Sequence, residues 1–219
     1  MPKAGSHVDK PEPRWQALLG LLAAVGTTFA LPRWLSIAPR WAVPLLIFLL
    51  LIPTVFAHRS GWNSLNHILG SLISAILTIS LMSSVFLLVT TLPAHKEPPL
   101  RLLLSSGALW LSNILVFALW YWRLDDGGPQ KRKERGGFGS RGFVFPQMQV
   151  EKSQREAFGI DGWRPGFVDY LFISFTTSST FGPTDAPILR PWAKLLAMLQ
   201  ATISLTIVVL LISRAVGVL

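Results

Sequence analysis

The sequence predicts an all-α integral membrane protein with about five transmembrane helices. Hydrophobic residues make up 51% of its 219 positions and charged residues only 14%, against roughly 25% charged in average soluble domains. Several apolar stretches approach the ~20 residues that a helix needs to cross a hydrocarbon core of about 30 Å. A half-length apolar segment stands before the last span, which predicts a short re-entrant helix and a loop ahead of the final helix.

The first three predicted spans lie in residues 15–101, behind a polar tail of residues 1–14. The first covers residues 15–31, where the basic start also allows a signal peptide, although the sequence offers only a weak small-residue cleavage site. The second, residues 41–57, is apolar all round, as is typical of a helix in lipid. The third, residues 68–90, carries repeated serine and threonine, which either permit close helix packing or line an aqueous path.

The fourth predicted span, residues 102–122, ends in Trp-Tyr-Trp. Aromatic clusters of this kind are typical of the headgroup level of a membrane. In residues 123–166 the composition changes to glycine, proline and basic residues with little helical periodicity. This change predicts an extramembrane loop that is partly disordered.

The segment after that loop, residues 167–177, is apolar and aromatic but too short to cross. At 1.5 Å per residue it reaches about halfway through a bilayer. A polar break with glycine and proline follows in residues 178–185, and the last span covers residues 191–219. Non-helical backbone at membrane depth survives only where it is buried in protein or lines water, so we expect a re-entrant loop here.

Two consecutive motifs in this region carry a family resemblance. Residues 174–185 read SFTTSSTFGPTD, and residues 191–201 read PWAKLLAMLQA. Without a gap, this text resembles the two-helix pore module of potassium channels, in which a stretch such as SFVTLTTVGYGD is followed by PWGRLLAILEALIGL. The match runs over about forty residues. It implies a tetrameric pore whose module comprises residues 102–219, with residues 102–122 as the outer helix, 167–185 as pore helix and filter-like loop, and 191–219 as the inner helix.

In that family, consecutive backbone carbonyls replace the hydration shell of a cation, and glycines permit the backbone angles that aim them inward. Here Thr180 and Gly182 stand at the filter threonine and the first glycine. Pro183 and Thr184 replace the aromatic residue and the second glycine; proline fixes its backbone angle, and threonine adopts left-handed angles only at a cost. The resemblance therefore implies a cation pore with altered selectivity. Its filter-like loop comprises Thr180, Phe181, Gly182, Pro183, Thr184 and Asp185.

Three further residues follow from the resemblance or from their place in a span. Asp169 is expected to cap the pore helix, a role that ordinary helix capping also explains. Ser204 stands where family members often have a hinge glycine. Gln200 lies in mid-membrane, where a polar side chain needs a partner; it either lines the pore or forms an interhelical hydrogen bond.

Charge and family resemblance give opposite orientations. The resemblance places the loop of residues 123–166 outside, but nine Lys and Arg residues lie in it, whereas Lys96 and Arg101 alone stand in the preceding loop. The positive-inside rule thus favours a cytoplasmic loop and a cytoplasmic N-terminus. Either the pore module is inverted relative to the family, or the loop is translocated despite its charge, or the first span does not cross.

Other chemistry lacks support in the sequence. There is no cysteine, the four histidines lack metal-site spacing, and no phosphate-binding glycine loop or nucleophile elbow occurs, so we expect neither an enzyme nor a cofactor or metal site. The net charge of +9 is concentrated in one loop and at helix ends, which fits lipid headgroups better than nucleic acid.

The sequence hypothesis is a potassium-channel-like, multi-pass protein of a plasma membrane, of the bacterial inner-membrane type. It would form a homo-oligomer, a tetramer if the resemblance holds, that conducts a transient monovalent cation through Thr180–Thr184. Two alternatives stay open: a non-conducting membrane scaffold or sensor that keeps the pore-module fold, and a small carrier with its site at the broken segment.

Overall fold

The computed structural model describes residues 14–91, 98–135, 141–181 and 186–216. This part of the chain is all-helical, with 79% of residues in helices and no strands; a single backbone bridge joins Phe143 to Ile188. The α-helices are α1 Trp15–Ala30, α2 Ala42–Arg59, α3 Asn63–Thr91, α4 Pro99–Leu124, α5 Pro129–Arg135, α6 Pro146–Gln149, α7 Lys152–Arg155, α8 Phe167–Thr180 and α9 Pro191–Val216.

Three of these helices, α3, α4 and α9, are long and apolar enough to cross a membrane. The other two apolar helices of the expected five spans are shorter: α1 has 16 residues and α2 has 18. At 1.5 Å per residue they measure about 24 and 27 Å. The described residues thus contain three helices that are long and apolar enough to cross a membrane and two shorter apolar helices.

α4 forms the centre of the bundle. In its apolar window 67% of residues are buried, against 39% for α3 and 28% for α9, and it contacts α1, α3, α8 and α9. Its fully buried side chains include Leu109, Val116 and Phe117. α9 packs mainly on α4 and α8, with a smaller contact on α3, and its low buried share leaves most of its surface open in a single chain.

The long helices share one end of the bundle. One cavity at this end is lined by residues from the starts of α1 and α3 and from the ends of α2 and α4. At the same end, Phe167 at the start of α8 packs edge-to-face on Trp122 near the end of α4. Trp192 at the start of α9 packs on Phe143, which lies between α5 and α6. α8 therefore enters the bundle from the end at which α4 finishes.

The segment of residues 123–166, expected to be a loop with little helical structure, contains the short helices α5, α6 and α7 and packs on the bundle in its described parts. Phe143 is fully buried, and its ring lies 4.9 Å from that of Tyr121 and 6.2 Å from that of Tyr170. These helices have only four to seven residues, which is too few for a periodic hydrophobic pattern to be recognised.

Candidate functional site

The candidate site is the short helix α8 with the polar side chains that hold it. α8 has 14 residues, and the carboxylate of Asp169 accepts a hydrogen bond of 2.7 Å from the backbone N–H of Gly166 just before the helix. The helix ends at Phe181, whose φ of 58° lies in the left-handed region, uncommon for a non-glycine residue. Its buried residues recur at helical spacing and form one face: Phe167, Tyr170, Ile173, Ser174, Thr177 and Ser178.

Gln200 of α9 connects this face to the rest of the bundle. Its side chain is fully buried, and its Nε2 lies 2.7 Å from the carbonyl oxygen of Ser174 and 2.8 Å from the hydroxyl of Ser178. Its Oε1 accepts a hydrogen bond of 2.6 Å from the hydroxyl of Tyr121 on α4. One amide therefore links three helices.

Two other buried polar residues, Asn113 and Ser204, complete the contact among α4, α8 and α9. Asn113 of α4 donates from Nδ2 to the carbonyl of Gln200 at 3.1 Å, and Ser204 of α9 donates to the carbonyl of Ser178 at 2.7 Å. The hydroxyl of Ser174 donates to the carbonyl of Ile114 on α4 at 2.6 Å. Buried polar groups need such partners, so the pairing fixes the depth and rotation of α8. We call this set the α8 polar network: Asn113, Tyr121, Ser174, Ser178, Gln200 and Ser204.

A second group of contacts holds α8 where it enters the bundle. The carboxylate of Asp125, just beyond α4, accepts hydrogen bonds from the backbone N–H of Gly142 at 2.5 Å and from the hydroxyl of Tyr170 at 2.7 Å. Arg132 donates to the carbonyl of Asp125 at 2.7 Å and lies over the ring of Tyr170, 5.3 Å from its centroid. Asp125, Arg132, Gly142 and Tyr170 form the entry anchor.

The predicted site residues divide between the described and undescribed parts of the chain. Thr180 ends α8 and donates back to the carbonyl of Thr176 at 2.7 Å, and Phe181 is exposed beside it. The other four filter-like positions, Gly182, Pro183, Thr184 and Asp185, lie outside the described residues.

Gln200 and Ser204 both face α4 and α8 instead of the open side of α9. For Gln200 the structure shows the interhelical hydrogen bonds, one of the two roles expected from the sequence. α9 is continuous through Ser204, whose hydroxyl also accepts a hydrogen bond of 3.1 Å from Trp110. The open side of α9 near this level carries Thr202 and Thr206, whose hydroxyls donate back to the carbonyls of Met198 and Thr202.

Sequence reasoning missed Asn113 and the entry anchor. It assigned Tyr121 to an aromatic cluster at the headgroup level, whereas the structure buries the ring and pairs its hydroxyl with Gln200. Asn113 is the lone side-chain amide of the fourth apolar span, so the rule that singles out Gln200 as an intramembrane polar residue also applies to it. Nothing in the pattern of residues marks Asp125, because its partners Gly142 and Tyr170 are 17 and 45 positions away.

Comparison of the chain with protein-family models, with curated proteins and with solved structures gives no match. The resemblance to the potassium-channel pore module is therefore carried by the residues quoted above.

Proposed function

We propose that the chain is a pore-loop membrane protein in which α8 and the loop after it form a cation-conducting path on the axis of a homotetramer. The observation that carries this proposal is the position of α8, a helix of 14 residues that is too short to cross a bilayer and ends in the middle of the bundle between two long helices. The polar contacts of α8 are directed at α4 and α9, and they hold it at that depth.

The depth follows from the hydrogen bonds. Ser178, near the end of α8, contacts Asn113 and Ser204. On α4, Asn113 lies eleven positions before the last residue, Leu124, which corresponds to about 17 Å. On α9, Ser204 lies thirteen positions after the first residue, Pro191, which corresponds to about 20 Å. The last turn of α8 thus lies about 17–20 Å from the entry ends of α4 and α9, which is more than half the ~30 Å thickness of a hydrocarbon core, and the chain is back at the entry end when α9 begins.

The end of α8 suits a cation. The last four carbonyl groups of a helix lack helical partners, and the aligned peptide dipoles place a partial negative charge of roughly half an electron at that end. Ser179 and Thr180 are exposed in the last turn. Such a site favours the passage of a monovalent cation and needs no bound cofactor.

A single copy of α8 supplies only part of a pore, and the surface of α9 is suited to assembly. Its open side carries large apolar residues, among them Leu195, Met198 and Val209, each more than half exposed. Cyclic symmetry would bring four copies of α8 around one axis. Lipid covers the remaining apolar surface, as in a multi-pass protein of a bacterial-type plasma membrane.

Ion flux tests the proposal. Purified protein in liposomes should pass potassium or sodium, and Gly182→Val in the filter-like loop should abolish that flux. Gly107→Ala is the matched control, because a Cβ at Gly107 on α4 has no neighbouring atom within 4 Å; its flux should equal that of the unaltered chain. Absence of flux across a range of voltage and pH would refute conduction and favour the non-conducting scaffold, while a monomeric mass in detergent would favour the carrier.

A further inference from the structure

A second feature lies away from α8, at the shared end of the bundle. A cavity of about 640 Å³ is enclosed by α1, α2, α3, the end of α4 and the residues that follow it. Its volume falls within the ~300–1,000 Å³ usual for small-molecule sites. The cavity shares no residue with the α8 polar network, although both include residues of α4.

The mouth of the cavity carries positive charge. Arg14, Arg123 and Lys131 line it together with His67, and none of the residues that the structure places around the cavity is Asp or Glu. Charge of one sign in a partly closed site raises the local concentration of ions of the opposite sign. The mouth is therefore suited to an anion.

Arg123 gives the clearest indication of that anion. Its guanidinium lies over Gly70 of α3, where a Cβ would overlap it, and 5.9 Å from the ring of Trp122. Its Nε is buried and has no hydrogen-bond partner among the described residues. Burial of an unpaired cation is costly, and Arg123 lines the cavity, so a phosphate or carboxylate oxygen bound there would neutralise its guanidinium.

The inner part of the cavity is apolar. Ala17 and Leu21 of α1, Ile73 of α3 and Leu119 of α4 line it. The walls on its outer side, Leu18 and Val55 among them, are about half exposed, so the cavity opens sideways between helices as well as at its end. A hydrocarbon chain can enter from that side without crossing the polar mouth.

We infer that this cavity binds an anionic phospholipid from the surrounding bilayer. The phosphate lies against Arg123 and Lys131, and one acyl chain runs along the apolar wall between α1 and α2. A free phosphate would leave the apolar part unfilled, and a zwitterionic lipid would place a second cation among the cations of the mouth. The site does not depend on ion conduction.

Native mass spectrometry of the purified protein in detergent tests this site, with phosphatidylglycerol and phosphatidylcholine of equal chain length as probes. Each basic residue near an anionic lipid is worth about fivefold in affinity. Lys131→Gln, at an exposed side chain, should therefore weaken phosphatidylglycerol binding about fivefold and Arg123→Gln/Lys131→Gln about 25-fold. Arg59→Gln is the control, because Arg59 is an exposed cation at the same end of the bundle that does not line the cavity.

A third variant tests the cavity without removing charge. Gly70→Ala displaces the guanidinium of Arg123 and should weaken phosphatidylglycerol binding, whereas Gly26→Ala, with open space around the new Cβ, should not. Unchanged thermal unfolding of Lys131→Gln in lipid-free detergent shows that its loss of binding is not loss of fold. Equal binding of the two lipids, an equal loss in Arg59→Gln, or full competition by soluble glycerol phosphate would each overturn the inference.

Discussion

Replacement of Gln200 by methionine removes the central contact of the α8 polar network at nearly constant volume. The hydroxyl of Tyr121 loses its hydrogen-bond acceptor and stays buried, since Tyr121 is fully enclosed. Ser178 keeps a weaker contact with Asn113 at 3.4 Å, and Ser174 keeps its bond to the carbonyl of Ile114. The loss is therefore concentrated at Tyr121 and at the contacts of Gln200 Nε2 with Ser174 and Ser178.

The magnitude follows from these contacts. A buried hydroxyl left without a partner costs about 1–3 kcal/mol. Each interhelical hydrogen bond in a membrane protein contributes about 0.6 kcal/mol on average. The two N–H donors of Gln200 Nε2 are shared among three acceptors on α8, the carbonyl and hydroxyl of Ser174 and the hydroxyl of Ser178. The free energy of unfolding of Gln200→Met should thus fall by about 2–4 kcal/mol.

Reversible unfolding of the protein in mixed detergent micelles, followed by circular dichroism, measures this change. Thr202→Val is the control, because Thr202 lies on the exposed side of α9 and bonds only to its own helix; its effect should stay within about 0.5 kcal/mol. In Tyr121→Phe/Gln200→Met the unpaired hydroxyl is gone, so the double variant should cost about 1 kcal/mol less than the sum of the single variants. A loss below about 0.5 kcal/mol for Gln200→Met would show that this network does not hold α8.

Two further predictions concern the entry anchor and the orientation of the chain. Asp125→Asn removes one of two acceptor oxygens used by Gly142 and Tyr170, so thermal unfolding should show a loss of about 1–3 kcal/mol; Asp161→Asn, at an exposed position, should show none. The positive-inside rule favours a cytoplasmic position for the basic end of the bundle, and the chain has no native cysteine. Single cysteines at Ser153 and Ile37, at opposite ends, should react with an impermeant maleimide in intact cells at Ile37 only; labelling at Ser153 only would reverse the orientation.

The long helices could be predicted from the sequence because their apolar runs are continuous and end at polar or aromatic residues. The observed bounds of α3, α4 and α9 lie within five residues of the expected ones. The end of α8 was harder to predict: the polar break was expected from residue 178, but the helix continues to Thr180. The physical reason is that Ser179 and Thr180 donate to the carbonyls four residues earlier, and so satisfy their own hydroxyls within the helix.

The candidate site was predictable only in part. Gln200 and Asp169 stand out because each is polar at a place where an unpaired group would be costly. Tyr170 and Asp125 do not stand out, because their significance depends on a contact between the end of one helix and the start of another. Such contacts depend on packing at long sequence separation, which hydrophobic periodicity does not encode. The function assigned to the filter-like loop stays a prediction.

The unequal lengths of the apolar helices have a consequence for the bilayer itself. α3 has 29 residues and measures about 44 Å, whereas α1 and α2 are shorter than a hydrocarbon core of about 30 Å. Hydrophobic mismatch of this kind makes long helices tilt and makes the bilayer thin beside short ones. The thinned region would surround α1 and α2, which line the side opening of the cavity, and would bring lipid headgroups closer to its cationic mouth.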